Sequence, residues 1–185
     1  GIQLKNTTNI SVSHITIDAA TNNKQKGVWI TSDASDINIS HCKILVNTTT
    51  TDSKFAAIHK ESDKSGFLNN CRISNNIIDG GCYGIYMYVT ESNSSSSGIR
   101  GKVTIDSNTI TNASNYSIAT HYGNVNIHGN TVLSRTAYIG ASWTGIYSSD
   151  CYGAITCNKK QTKTLLEEFY YEKETRFTFK VIASS

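Results

Sequence analysis

Residues 103–110 read VTIDSNTI, and four further segments repeat their pattern. The copies are ISVSHITI from residue 10, INISHCKI from residue 37, CRISNNII from residue 71 and VNIHGNTV from residue 125. Apolar or thiol side chains occupy the first, third and eighth positions of each copy. Because residues two apart lie on one face of an extended chain, this pattern predicts a strand with one buried face. The eighth position predicts a return to that face after a polar turn.

The sixth position of the repeat carries a second signal. In copy order its occupants are Ile15, Cys42, Asn76, Asn108 and Asn130. A weaker copy, GAITCNKK from residue 153, adds Asn158 to the same column. An inward amide is costly to bury unless it is hydrogen-bonded, and identical amides on strands about 4.8 Å apart can satisfy one another. We therefore predict stacked asparagines inside the turn, the alternative being turn asparagines that face solvent.

The composition favours strands joined by tight polar turns. The 185 residues include 13 glycines and no proline, and asparagine, serine, threonine and isoleucine are abundant. This length suits one domain with a sizeable core. A net charge of +3 without a Lys/Arg block argues against nucleic acid as a partner. No apolar run approaches the roughly 20 residues that a membrane span needs, so no membrane partner is expected.

The cysteines favour neither a metal site nor a disulfide framework. Their number is odd and their spacing does not match a metal site: Cys42, Cys71, Cys82, Cys151 and Cys157. Cys42 and Cys71 occupy inward repeat positions, which predicts small buried thiols. A bridge between Cys151 and Cys157 stays open as an alternative. No metal ion or other cofactor is expected.

Each repeat also contains a second strand signal, usually a glycine followed by apolar alternation. The segments are GIQL from residue 1, GVWI from 27, GIYMY from 84 and GIYS from 145, with FAAIH at 55–59 and SIATH at 117–121 filling the same slot. No helical period lies between the strands. Parallel pairing is therefore expected between successive repeats instead of across helical crossovers.

With these features the chain resembles the right-handed parallel β-helix proteins of the pectate-lyase-like superfamily. The apolar-x-apolar-x-x-Asn-x-apolar copies and the glycine-led strand carry the resemblance over residues 1–160. It implies an all-β solenoid of about six coils with a substrate groove along the outward side of the glycine-led strand. Residues 161–185 lack the repeat, and we predict that they form a C-terminal cap or tail, with a short helix at LLEEF and an edge strand at RFTFKVI.

Alternation along the glycine-led strands predicts an outward column of rings. If the apolar positions face inward, the residues between them face out: Trp29, His59, Tyr86, Tyr88, His121 and Tyr147. Sugars stack on flat aromatic faces and hydrogen-bond to the polar ring edges, so Trp29, Tyr86 and Tyr147 are candidate substrate-binding residues. The alternative is that aromatic residues simply favour strands and cover the sheet.

The candidate catalytic residues lie in the same column: His59, Lys60, Glu61, Tyr88 and His121. A β-eliminating lyase needs a cation beside the substrate carboxylate, a base and an acid, which Lys60, a histidine and Tyr88 would supply. A hydrolase needs two carboxylates at a set separation, and Glu61, Asp63 and Glu91 are the nearby candidates. The choice between these two reactions stays open.

Signatures of the familiar enzymes of this superfamily are missing. The chain has no Gly-His-Gly and Arg-Ile-Lys segments of polygalacturonases, and without proline it cannot contain the Arg-x-Pro-x-x-Arg segment of many pectate lyases. The resemblance therefore implies either a protein that binds or cleaves polysaccharide, or a non-catalytic structural or adhesin module of a larger surface or viral protein. It also implies an extracellular, cell-surface or virion-surface location, and a homotrimer or further domains N-terminal to residue 1.

Overall fold

The computed structural model describes residues 1–60, 67–89, 101–135, 143–162, 165–171 and 177–182. The regular structure in these ranges is all β-strand. The strands are Ile2–Ser13 (β1), Thr16–Asp18 (β2), Lys26–Ser40 (β3), Lys43–Leu45 (β4), Ala56–Lys60 (β5), Leu68–Asn69 (β6), Cys71–Ser74 (β7), Ile77–Asp79 (β8), Tyr83–Tyr88 (β9), Lys102–Asp106 (β10), Thr109–Ala113 (β11), Tyr116–His128 (β12), Thr131–Ser134 (β13), Thr144–Thr162 (β14), Leu165–Tyr171 (β15) and Phe177–Ile182 (β16).

Equivalent positions of successive repeats pair in parallel, as the sequence predicts. The glycine-led strands align a column of apolar residues: Ile2, Val28, Ile58, Ile85, Ile118 and Ile146. The third positions of the eight-residue copies align a second column: Val12, Ile39, Ile73, Ile105, Ile127 and Ile155. Equivalent apolar positions of successive repeats therefore lie beside one another on neighbouring strands.

The prediction of an open right-handed parallel β-helix is wrong, and with it the resemblance to the pectate-lyase-like superfamily. Six parallel strands, β3, β5, β7, β9, β10 and β12, close into a barrel, and the other strands lie outside it. Closure occurs because β3 and β12 are long and pair through both of their halves. β3 pairs with β5 and β7, and β12 pairs with β9 and β10. The pairings of β5 with β9 and of β7 with β10 complete the ring. The coarser prediction, an all-β fold, is confirmed.

The outer strands β2, β4, β8, β11 and β13 form a row that packs its isoleucine and valine side chains against the barrel strands. Close contact is possible because glycine occupies the facing positions. A Cβ atom on Gly27 would lie 2.4 Å from the Ile44 side chain, and one on Gly84 would lie 2.5 Å from the Ile110 side chain. The glycine that leads these strands therefore has a packing cause.

The predicted asparagine stack is confirmed. Asn76, Asn108, Asn130 and Asn158 are between 0% and 6% exposed. The Nδ2 atom of Asn76 donates to Asn108 Oδ1 at 2.9 Å and to the Ile39 carbonyl at 2.9 Å, and this arrangement repeats at each step to Asn158. Cys42 occupies the next level, where its Sγ donates to the Val12 carbonyl at 3.4 Å. The turn beside the stack uses the left-handed region of φ at residues such as His41, Asn75 and Ser107.

The C-terminal segment adds strands to the last repeat. β15 and β16 both pair antiparallel with β14, which also pairs in parallel with β12 and β13. The predicted strand in RFTFKVI is thus present as β16, whereas LLEEF lies in strand β15 and not in a helix. The division into residues 1–160 and 161–185 stays a prediction.

The cysteines are free thiols. Cys42, Cys71, Cys82 and Cys151 are buried, as expected for small core residues, and burial raises the pKa of the Cys71 thiol to about 12. Cys157 is exposed and does not pair with Cys151. No helix in the described ranges has the length and apolar character to cross a membrane.

Candidate functional site

Eight rings form one continuous array on the outward side of strands β5, β9, β12 and β14. Neighbouring ring centroids lie between 4.5 and 6.4 Å apart. The members of this ring array are His59, Tyr83, Tyr86, Tyr88, Tyr116, His121, Tyr122 and Tyr147. Trp29 extends the surface on β3, where it pairs in register with His59. The structure thus brings together most of the ring residues that alternation places outward.

Strand alternation positions the centre of the array. Ile85 and Met87 are fully buried, so Tyr86 and Tyr88 between and after them face outward. His121 pairs in register with Tyr88, and the two rings stack at 4.5 Å with an interplanar angle of 15°. Tyr86 lies at the hub of the array because it contacts four other rings.

Simple alternation missed Tyr83 and Tyr116. Gly84 and Ile85 are consecutive buried residues, which shifts the alternation by one and turns Tyr83 outward, where it stacks on Tyr86 at 4.5 Å. Tyr116 pairs with Tyr83 one strand away, and Tyr122 at the other end of the array contacts Tyr88 at 6.0 Å. Both tyrosines directly precede a small residue and an isoleucine, in the sequences YGI (83–85) and YSI (116–118). An alignment of the two strand starts would have shown that these tyrosines occupy the same position.

The orientation of the rings differs from the predicted sugar platform. Tyr83, Tyr116 and Tyr147 form a stack with interplanar angles of 10° and 18°, and Tyr88 stacks on His121. In such stacks each ring covers the face of its neighbour. The surface therefore presents ring edges with phenol and imidazole groups to solvent more than it presents open aromatic faces.

His59 and Trp29 contribute unpaired polar atoms. His59 is 8% exposed, and its Nδ1 atom has no hydrogen-bond partner among the described residues; the same is true of Trp29 Nε1. Burial, with the charges of Lys26 and Lys60, lowers the pKa of His59 to about 3, so its imidazole is neutral near pH 7. Burial also lowers the pKa of His121, which Asp150 partly offsets.

The structure brings together three members of the predicted catalytic set and places Lys60 elsewhere. Lys60 is fully buried on the inward side, between Ile30 and Met87 in the pairing register, so it does not share the outward face with Tyr88. Glu61 lies outside the described residues, as do the carboxylates of Asp63 and Glu91. The array therefore holds His59, Tyr88 and His121 from that set, without the lyase cation.

Burial makes Tyr83 and Tyr86 weaker acids than a free tyrosine. Burial raises the pKa of Tyr83 to about 12 and raises that of Tyr86 further, with a contribution from its hydrogen bond to Tyr88. A general acid works best with a pKa near the working pH, and these phenols are far above it. In the described ranges no group of three or more His, Cys, Asp or Glu side chains is placed to hold a metal ion. The surface is thus equipped for neutral hydrogen bonding.

Comparisons of the chain with protein-family models, curated proteins and solved structures find no match in any of the three.

Proposed function

We propose that the ring array binds a polysaccharide without cleaving it. The observation that carries this proposal is the continuous row of phenol and imidazole edges across four neighbouring strands. Parallel strands lie about 4.8 Å apart, so equivalent edge groups recur at that interval along the row. A chain of sugar hydroxyl groups is a ligand that can use such a repeated series of donors and acceptors.

Ionisation supports a neutral ligand surface. The depressed pKa of His59 and the raised pKa of Tyr83 and Tyr86 keep these three groups uncharged near pH 7. The inward position of Lys60 keeps the cation predicted for β-elimination away from this surface. The cation beside the surface is Lys26, whose Nζ lies 5.0 Å from the Trp29 ring centroid. Among the described residues, binding is therefore better supported than β-elimination through Lys60.

Affinity electrophoresis through gels containing neutral and acidic polysaccharides tests the proposal. We expect at least one polysaccharide to retard the wild-type protein, and the Tyr88→Phe and Tyr147→Phe variants to be retarded less because they lose an edge hydroxyl. In a second assay, the protein is incubated with the same polysaccharides in solution. We expect this incubation to produce no new reducing or unsaturated chain ends. Free migration through every gel would contradict binding, and new chain ends would contradict the absence of cleavage.

A structural role for the array is the second candidate. Mutual stacking of Tyr83, Tyr116 and Tyr147 favours it, because rings that cover each other stabilise the sheet without any ligand. In that case the protein is a non-catalytic structural module. Tyrosine-to-phenylalanine changes in the array should then alter neither the free energy of unfolding nor the migration through polysaccharide gels. The two functions differ in whether the hydroxyl groups matter.

A further inference from the structure

A groove of about 340 Å³ lies beside the corner where β1 and β3 bend, apart from the residues of the ring array. Its polar lining comes from Asn6, Thr7, Thr8, Asp33 and Ser35. The ring of Phe67 completes the wall and is 37% exposed, unusually high for a large apolar side chain in this protein. This volume lies within the range of about 300 to 1,000 Å³ that small-molecule sites occupy.

An irregularity in strand pairing forms the groove. Lys5 pairs with Thr31 and Thr7 pairs with Ala34, so one residue of β1 lies opposite two residues of β3. Asn6, the residue of β1 at this register shift, takes a left-handed φ of 49°. Bulges of this kind redirect side chains and are common beside binding sites.

The polar groups of the groove differ in burial and in their hydrogen-bond partners. The Oγ1 atom of Thr7 is buried and has no hydrogen-bond partner among the described residues. Asp33 Oδ1 accepts the Phe67 backbone N–H at 3.0 Å, which fixes the carboxylate beside the aromatic ring. Thr8 and Ser35 share a hydroxyl hydrogen bond of 2.7 Å. The Thr7 hydroxyl is closed to solvent, so the polar groups that a ligand can reach belong to the exposed residues Asn6, Thr8 and Asp33.

We propose that this groove binds a single uncharged sugar residue. The Phe67 side chain offers an apolar contact for the C–H side of a pyranose, while the exposed residues Asn6, Thr8 and Asp33 supply an amide, a hydroxyl and a carboxylate for its hydroxyl groups. The described lining residues include a carboxylate and no cationic side chain, which disfavours uronic acids. The groove does not depend on polysaccharide binding by the ring array, so the two sites can fail separately.

Backbone amide NMR during titration with monosaccharides tests the site directly. The probes are the methyl glycosides of glucose, galactose, mannose and N-acetylglucosamine, with methyl glucuronide as the acidic comparison. We expect at least one neutral glycoside to shift the amide signals of Thr7, Thr8 and Phe67, and methyl glucuronide to bind at least about fivefold more weakly. Repeating the titration in the Tyr88→Phe variant should give the same shifts, because that residue belongs to the other surface.

Asn6→Gly is the sharpest variant. Glycine adopts the left-handed φ of 49° at this position without strain, so the thermal midpoint should not fall, whereas glycoside affinity should fall about fivefold, the equivalent of one lost hydrogen bond. Phe67→Ala should abolish the shifts. The proposal is overturned if no neutral glycoside shifts these amides, if methyl glucuronide binds as tightly as they do, or if Asn6→Gly binds with unchanged affinity.

Discussion

The inward asparagine column and the outward ring array are both stacked in register along the same repeats, yet their hydrogen bonding differs. Every step from Asn76 to Asn158 joins amides to each other and to a backbone carbonyl, so the column is saturated. The ring array instead places partly exposed phenols, such as those of Tyr88 and Tyr147, on the outward face. A saturated buried column specifies alignment, whereas partly exposed phenols can exchange water for a ligand.

The largest effect should come from breaking the saturated column with Asn108→Ala. This change removes the Asn108 partner of the Asn76 backbone N–H, of the Asn76 side-chain amide and of the Ile73 carbonyl. The loss of these three buried hydrogen bonds predicts a decrease of about 3 kcal/mol in the free energy of unfolding, measured by urea denaturation. Thr109→Ala, at the exposed neighbouring position, is the control and should cost less than about 0.5 kcal/mol. Equal losses in the two variants would show that the amides do not align the repeats.

Low pH should decrease the free energy of unfolding because His59, at the buried end of the ring array, resists protonation in the folded protein. His59 has a folded pKa of about 3 against an ordinary value of 6.5, because of burial and the charges of Lys26 and Lys60. The unfolded chain therefore binds the proton first. This stability is present above pH 6.5 and is lost as pH falls toward 3, with about 2 kcal/mol lost at about pH 5.

His59→Phe isolates this contribution, since it keeps a buried ring against Tyr86 and removes the titrating group. The free energy of unfolding of this variant, measured across the same pH range, should fall less steeply than that of the wild type. Trp29→Phe changes a neighbouring ring without removing a titratable group and should keep the wild-type slope. A His59→Phe slope identical to the wild type would contradict the assignment.

The stacking within the array should contribute moderately to stability. Tyr86→Ala removes ring contacts to His59, Tyr83, Tyr88 and His121, which predicts a loss of about 2 kcal/mol by thermal or urea unfolding. Tyr86→Phe keeps those contacts and should cost less than about 0.5 kcal/mol. A large loss in the phenylalanine variant would mean that the hydroxyl is structural and that the array, like the asparagine column, is already saturated.

The smallest effect should be a gain from extending the asparagine column. Cys42 already occupies the next level, where its backbone N–H donates to Asn76 Oδ1 and its thiol reaches the Val12 carbonyl. Cys42→Asn should replace the weak thiol hydrogen bond with an amide one and raise the free energy of unfolding by about 1 kcal/mol. Cys42→Ser cannot span the same distance and serves as the control. A destabilised asparagine variant would show that the column ends at Asn76 for steric reasons.

The repeated copies made the paired levels and the asparagine column predictable, because period-two apolar spacing and a fixed asparagine position are local signals. The closure of six strands into a barrel was not predictable from them. It depends on β3 and β12 running through both halves of their repeats, which no single copy reveals. The helix expected at LLEEF failed because pairing with β14 outweighs local propensity.

The candidate site was predicted only in part. Alternation placed Tyr86, Tyr88 and Tyr147 outward, but it also suggested that Lys60 belonged to the same cluster, and the structure buries that side chain on the other face. Tyr83 was missed because consecutive buried residues interrupt the alternation. The groove beside Phe67 was missed because the bulge that forms it depends on pairing between two strands.

The most direct test of the difference between the two columns is the polysaccharide affinity of a Tyr88→Phe/Tyr147→Phe double variant, measured beside its thermal midpoint. These changes retain the stacked rings and remove two edge hydroxyls. If the outward array is a ligand surface, the thermal midpoint stays within about 2 °C of the wild type, while affinity for the best polysaccharide of the gel series falls at least about tenfold. Unchanged affinity in a stably folded double variant would contradict the account.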